Sequence, residues 1–183
     1  GPLVIAMDIG GTSIRVALVD PQMNIQARNA QPTCAQEGAA GAMDRIIEAV
    51  QVLVSSVSPG RLKGIAVATA GPIDPVRGII LNPPSLPTWC HVPLKDRLKA
   101  AFGLRVWVEH DADMAALGEH RFGAGKGYDR LVYLTVSTGI GGGVILDGKL
   151  LRGAKVSAAE LGHIVIDPNG PSCNCGGKGH VEA

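Results

Sequence analysis

Aromatic side chains are scarce. Two Trp, two Tyr and two Phe make up 3% of 183 residues, so a core has to be built from Val, Ile, Leu and Ala. An excess of charge of one sign is also missing. Lys plus Arg number 17 against 16 Asp plus Glu, a net +1, which offers no electrostatic footprint for nucleic acid or an anionic membrane. No apolar run approaches the ~18 residues of a membrane span, and no signal peptide opens the chain. The expectation is a cytoplasmic protein with neither a membrane nor a nucleic-acid partner. Two phosphate-binding signatures are absent as well: no Gly-Lys-Ser/Thr follows a glycine loop as in a Walker motif, and no dinucleotide fingerprint occurs.

Glycine, by contrast, is abundant, with 25 residues, about double the usual ~7%. It has no three-residue period, so collagen is excluded, and with 46% hydrophobic and 18% charged residues the chain is globular. The glycines therefore serve turns and close backbone approaches. Gly1-Pro2 has the form of a protease-cleavage scar, so the native start is expected to lie elsewhere.

Apolar patterning predicts strands at Leu3–Ile9, Ser13–Asp20 and Ile25–Ala30. A helix should carry Met43, Ile46, Ile47, Val50, Leu53, Val54 and Val57 on one face, stopped by Ser58-Pro59-Gly60. Further strands are expected at Gly64–Ala70, Leu104–Glu109, Leu131–Val136, Val144–Asp147 and His163–Asp167. Helices should occupy Val92–Phe102 and Asp111–Phe122, with a helical turn near Ser157–Leu161. Strands followed by alternating helices and strands indicate an α/β fold with a mixed sheet. The flexible segment Gly123–Gly127 is the expected boundary between domains 1–122 and 123–183. Glycines between two apolar strands, at Gly10-Gly11 and again at Gly139–Gly143, hint at two related halves.

His163, Cys173, Cys175 and His180 give the spacing H-x9-C-x-C-x4-H. Four soft or borderline donors on a glycine-rich loop suit tetrahedral zinc. With all four ligands from protein, the zinc would be structural. The alternative is a disulfide or free thiols, although a Cys-x-Cys disulfide is strained and nothing indicates secretion. Asp8-Ile9-Gly10-Gly11-Thr12 combines close backbone approach to an anion, a hydroxyl donor and a carboxylate suited to magnesium. A tight hairpin turn with a satisfied Asp explains the same residues. Thr138–Gly143, including Gly139, Gly141 and Gly142, is a second such loop, and the pair points to phosphoryl transfer.

Asp111 sits where a strand ends and a helix begins. It is a natural helix N-cap and equally a general base for an attacking hydroxyl; the two roles do not exclude each other. Glu160 and His163, three apart, would share a helical face. With Glu182 they would be tethered by the zinc loop, where carboxylates can accept hydrogen bonds from a polyhydroxylated ligand; each is otherwise a surface glutamate.

Asp8–Thr12, Ala70-Gly71-Pro72, the Glu109–Glu119 stretch, Ser137–Gly143, and Ala159–His163 with Cys173-Asn174-Cys175-Gly176 resemble the ROK family of repressors, open reading frames and sugar kinases. The resemblance runs from Leu3 to the last residue. It implies an actin-like, ribonuclease-H-like ATPase fold with two lobes and ATP between them. Asp8, Gly10, Gly11 and Thr12 would hold phosphate and magnesium, and Thr138, Gly139, Gly141 and Gly142 would form the second phosphate loop. Asp111 matches the catalytic base, and Gly71, His110, Glu160, His163 and Glu182 would surround a hexose. His163, Cys173 and Cys175 match zinc ligands. His180 stands where the family usually has cysteine, and His110 where it commonly has asparagine. The activity implied is ATP-dependent phosphorylation of glucose, or secondly of an N-acetylhexosamine, by a homodimer. The alternatives are a sugar-sensing regulator of the family and a non-catalytic sugar-binding fragment. Family members continue past the point matching Glu182, so the second lobe is expected to be incomplete and the chain alone a poor kinase.

Overall fold

Alternation along the first seven core-forming residues decides how the chain starts. In β1 (Leu3–Ile9), Leu3, Ile5, Met7 and Ile9 are buried while Val4 is exposed. The chain reverses at Gly10–Thr12 into β2 (Ser13–Val19), whose Ile14, Val16 and Leu18 join the same buried face. β3 (Ile25–Pro32) pairs with β2 at the sheet edge. Helix α1 (Ala39–Val54) follows, burying Ala42, Met43, Ile46, Ala49, Val50 and Leu53. β4 (Leu62–Thr69) and the short pair β5 (Ile73–Asp74) and β6 (Ile79–Ile80) lead to α2 (Leu94–Phe102) and β7 (Val106–His110). The five-stranded sheet has the order β3-β2-β1-β4-β7. β1, β2 and β3 run antiparallel, and β4 and β7 lie parallel to β1 and β4. This is the mixed α/β sheet that the patterning predicts. Its core is aliphatic apart from the fully buried Trp89, each large side chain contributing about 1.5–3 kcal/mol of transfer free energy. Pro93 holds the N-cap position of α2 and Gly103, at φ 64°, its left-handed C-cap. Val92, expected in that helix, instead bridges to Ile80.

The computed structural model describes every residue except 56, 59, 138 and 154–157. Thr138, Pro59 and Ser157, each part of a sequence expectation, lie outside the described residues. The chain divides into two compact units, Gly1–Asp111 and Ala112–Ala183.

The second unit comprises helix α3 (Asp111–Phe122, from its second residue) and an antiparallel sheet of order β10-β9-β8, formed by β8 (Leu131–Val136), β9 (Ile140–Leu146) and β10 (Lys149–Leu150). Three expectations change here. The unit boundary falls at Asp111, not in Gly123–Gly127, because α3 packs directly on β9. A Cβ on Gly143 would lie 2.6 Å from the Ala116 Cβ and 2.8 Å from the Ala112 carbonyl. Gly141, Gly142 and Gly143 are residues of β9, paired with Thr135, Leu134 and Tyr133, not a loop. Their missing side chains admit α3 and Leu161 close to the strand. His163–Asp167 forms no strand; a 3-10 turn at Leu161–His163 is followed by a single bridge from Val165 to His180. Among the described residues no helix is long and apolar enough to cross a membrane.

Candidate functional site

The first glycine turn is braced from two sides. Gly10 N–H donates to the Ser13 carbonyl at 3.0 Å, and the buried Thr33 hydroxyl donates to the Gly10 carbonyl at 2.6 Å. Gly11 has to be glycine, since a Cβ there would stand 2.5 Å from the Ser85 carbonyl oxygen. Thr12 is exposed at the tip. Asp8 lies on the sheet face opposite the core, its carboxylate 2.9 Å from the Arg15 guanidinium directly across the hairpin. Composition and motif spacing did not single out Arg15 or Thr33. Arg15 is nonetheless readable, because a hairpin turning at Gly10–Thr12 places residue 15 opposite residue 8.

Gly71, His110 and Asp111 come together at the end of β7. A Cβ on Gly71 would lie 2.7 Å from His110 Cδ2 and 2.9 Å from Nε2, so the imidazole occupies space that only glycine leaves. The Gly71–Pro72 bond is cis. His110 Nδ1 is 3.4 Å from Asp111 Oδ1, and the Asp111 side chain is half exposed. α3 begins at Asp111 itself, so the carboxylate belongs to the first helical turn, where the helix dipole favours negative charge.

In the second unit, the donor atoms of His163, Cys173, Cys175 and His180 all lie within 4.8 Å of one another. Cys175 Sγ is 3.3 Å from His180 Nδ1, and Cys173 Sγ is 3.9 Å from His163 Nδ1. A tetrahedron with Zn–S and Zn–N bonds of about 2.3 and 2.0 Å sets its donors about 3.3–3.8 Å apart. The cluster fits such an ion with little adjustment. Main-chain bonds from Ile166 to Gly179 (2.8 Å), Val181 to Ile164 (3.0 Å) and Glu182 to Gly162 (3.1 Å) draw its two ends together. The Cys173 thiol sits above the ordinary thiol range. A backbone hydrogen bond from Cys175 lowers it, but burial, the Cys175 thiol and Glu182 together outweigh that.

Two glutamates flank His163. Glu160 lies 4.0 Å from Nε2 and Glu182 3.7 Å from Nδ1. The Ile140 amide donates to Glu182 Oε2 at 2.9 Å. That bond, aided by His163, Cys173 and His180 against the opposing effect of burial, holds the Glu182 carboxyl below its ordinary range. Gly139 lies beside the same carboxylate, whereas Gly141 and Gly142 face their packing neighbours within β9.

The model of the ROK family matches residues 4–183. The chain belongs to the ROK family. Two relatives support the same placement. A glucokinase of Thermotoga maritima is 41% identical over 98% of this chain and 56% of its own length. An N-acetylmannosamine kinase of Salmonella typhimurium is 40% identical over 98% of this chain and 60% of its own. The crystal structure of a ROK family glucokinase from Streptomyces griseus, in complex with glucose and AMPPNP, superposes with a TM-score of 0.84. It is 40% identical, over 98% of this chain and 56% of that one. The chain therefore spans about half the length of the curated relatives it matches. Its mixed sheet is that of the ROK kinases, and the fold is the actin-like ATPase fold.

Proposed function

We propose that the protein carrying this ROK chain performs ATP-dependent phosphorylation of a hexose, with glucose the first choice and an N-acetylhexosamine such as N-acetylmannosamine the second, and that the 183 residues alone are a poor kinase. The observation that supports this most directly is identity of about 40% to glucokinases along 98% of the chain. In this reading Asp111 accepts the proton of the sugar's primary hydroxyl. The oxygen forms a bond to the γ-phosphorus in line as the bond to the ADP oxygen breaks, giving sugar phosphate and ADP. Asp111 suits the task because it is half exposed and fixed by the start of a helix.

The Gly10–Thr12 turn is assigned to phosphate through the N–H groups of Gly11 and Thr12 and the Thr12 hydroxyl, and Gly139 is assigned to phosphate from the second glycine run. His110, beside Asp111, and Glu160, His163 and Glu182 are the proposed sugar contacts. Asp8 is a single accessible carboxylate of the kind that holds magnesium together with nucleotide phosphates. Such an ion, when bound, neutralises charge developing on the transferred group. His163, Cys173, Cys175 and His180 would hold a structural zinc that braces the loop carrying Glu182.

The test is an ATP-coupled assay over a panel of hexoses, on protein of measured zinc content. Glucose is expected to give the highest rate. If the complete protein, of which the 183 residues alone are expected to be a poor kinase, phosphorylates no hexose, the kinase reading is replaced by that of a sugar-sensing regulator or sugar-binding module.

A further inference from the structure

Glu182 occupies a place that several residues are shaped to leave free. Its Oε2 accepts the Ile140 amide at 2.9 Å, at the first residue of β9. A Cβ on Gly139 would stand 2.8 Å from that oxygen, and one on Gly162 would stand 3.3 Å from it. Gly162 does not have a left-handed backbone, so conformational freedom does not account for it. Room for the carboxylate, and for the Ile140 carbonyl beside Gly162, does. The other oxygen, Oε1, lies 3.7 Å from both the Cys173 sulfur and His163 Nδ1. One carboxylate thus touches the start of β9 with one oxygen and two members of the metal cluster with the other.

We infer that Glu182 is a positioning residue that makes the start of β9, at Gly139 and Ile140, depend on the metal state of the cluster. Metal bound to Cys173 and His163 fixes the two groups flanking Oε1. Binding metal releases the Cys173 thiol proton to solvent, so the carboxylate is then confined between two fixed neighbours rather than hydrogen-bonded to the thiol, and with it the acceptor for the Ile140 amide. The Gly139–Ile140 backbone, beside what the kinase reading assigns to phosphate, is ordered when the cluster is filled and loosened when it is empty. The phosphate role rests on that reading; the mechanical link between cluster and strand does not.

Amide hydrogen exchange on the 183-residue chain, read with and without zinc(II), tests the link in the absence of sugar and nucleotide. Zinc is expected to slow exchange of the Ile140 amide about tenfold or more, the scale of securing one hydrogen bond to a charged acceptor. Glu182→Ala should bind one zinc per chain as the parent does, because Glu182 is not a ligand, yet gain no protection at Ile140. Glu182→Gln, whose side-chain carbonyl still accepts, should recover part of it. The inference is overturned if zinc leaves Ile140 exchange unchanged in the parent chain, if Glu182→Ala is protected equally, or if the cluster takes up no zinc. Zinc-dependent protection in this chain, with no hexose phosphorylated by the complete protein, would leave the strut standing and remove only the kinase reading.

Discussion

Replacing Asp111 by Asn separates its two chemical roles. The first turn of α3 loses a negative charge near the helix N-terminus, a dipole contribution of about 0.3–1 kcal/mol for an exposed carboxylate. For a chain of this length that corresponds to roughly 1–4 °C in Tm. The shape hardly changes, since the amide oxygen can remain beside His110 Nδ1, now 3.4 Å from the carboxylate. What Asn cannot do is take a proton from the attacking hydroxyl. Loss of a general base costs about 10²–10⁴-fold in kcat, equivalent to about 2.7–5.4 kcal/mol of barrier at 1.36 kcal/mol per factor of ten. The two effects differ enough to be read apart. Thermal melting should shift by a few degrees, while ATP-coupled glucose phosphorylation falls by two orders of magnitude or more. A variant keeping over about a tenth of the parental kcat would refute the assignment of Asp111 as base. One that melts ten degrees lower would instead place the carboxylate in a structural role that its exposure argues against.

Two glycines around α3 should respond with opposite signs. Gly143→Ala puts a Cβ 2.6 Å from that of Ala116, about 1 Å inside ordinary carbon contact, and should destabilise by about 1–3 kcal/mol in urea unfolding. Gly118→Ala meets nothing within 4 Å and should stabilise by about 0.5–1 kcal/mol through helix propensity; a loss at Gly118 or none at Gly143 would contradict the packing described. Asp20 accepts hydrogen bonds from the backbone and side chain of Asn24, the Gln22 amide and the Gln26 side chain. The Asn24 side-chain bond leads in holding its carboxyl below the ordinary range. A lowered folded-state value contributes stability above the unfolded carboxyl range and loses it as pH falls through the folded one. Asp20→Ala should therefore lower the urea midpoint at neutral pH and converge on the parent in acid; a pH-independent difference would show that the charge plays no part.

Local patterning made much of the first unit legible. The apolar run Leu3–Ile9 gave the first strand, and the alternation in Ser13–Asp20 gave the second with its buried face, because a half-buried sheet demands a period of two. The spacing from Met43 to Leu53 likewise gave α1. The donor cluster was readable from its spacing, since four metal donors on eighteen residues of glycine-rich chain have few other ways to be satisfied. The glycine run before Val144 was misread as a loop because glycine marks both turns and close packing, and only the neighbour decides which. That neighbour is α3, whose Ala112 and Ala116 press on β9. The same ambiguity shifted the unit boundary from Gly123–Gly127 to Asp111, since the helix belongs with the strand it packs on.

The sequence alone singled out the candidate residues: Asp8 before two glycines, Asp111 at a strand–helix junction, and His163, Cys173, Cys175 and His180 at metal-ligand spacing. These follow from residue type and short-range spacing, which covalent geometry translates directly into local structure. Tertiary structure decided what those residues touch. It set His110 against Gly71 and gave one oxygen of Glu182 to the Ile140 amide. Contacts between segments far apart in the chain depend on how sheets and helices pack, and no short-range spacing encodes them.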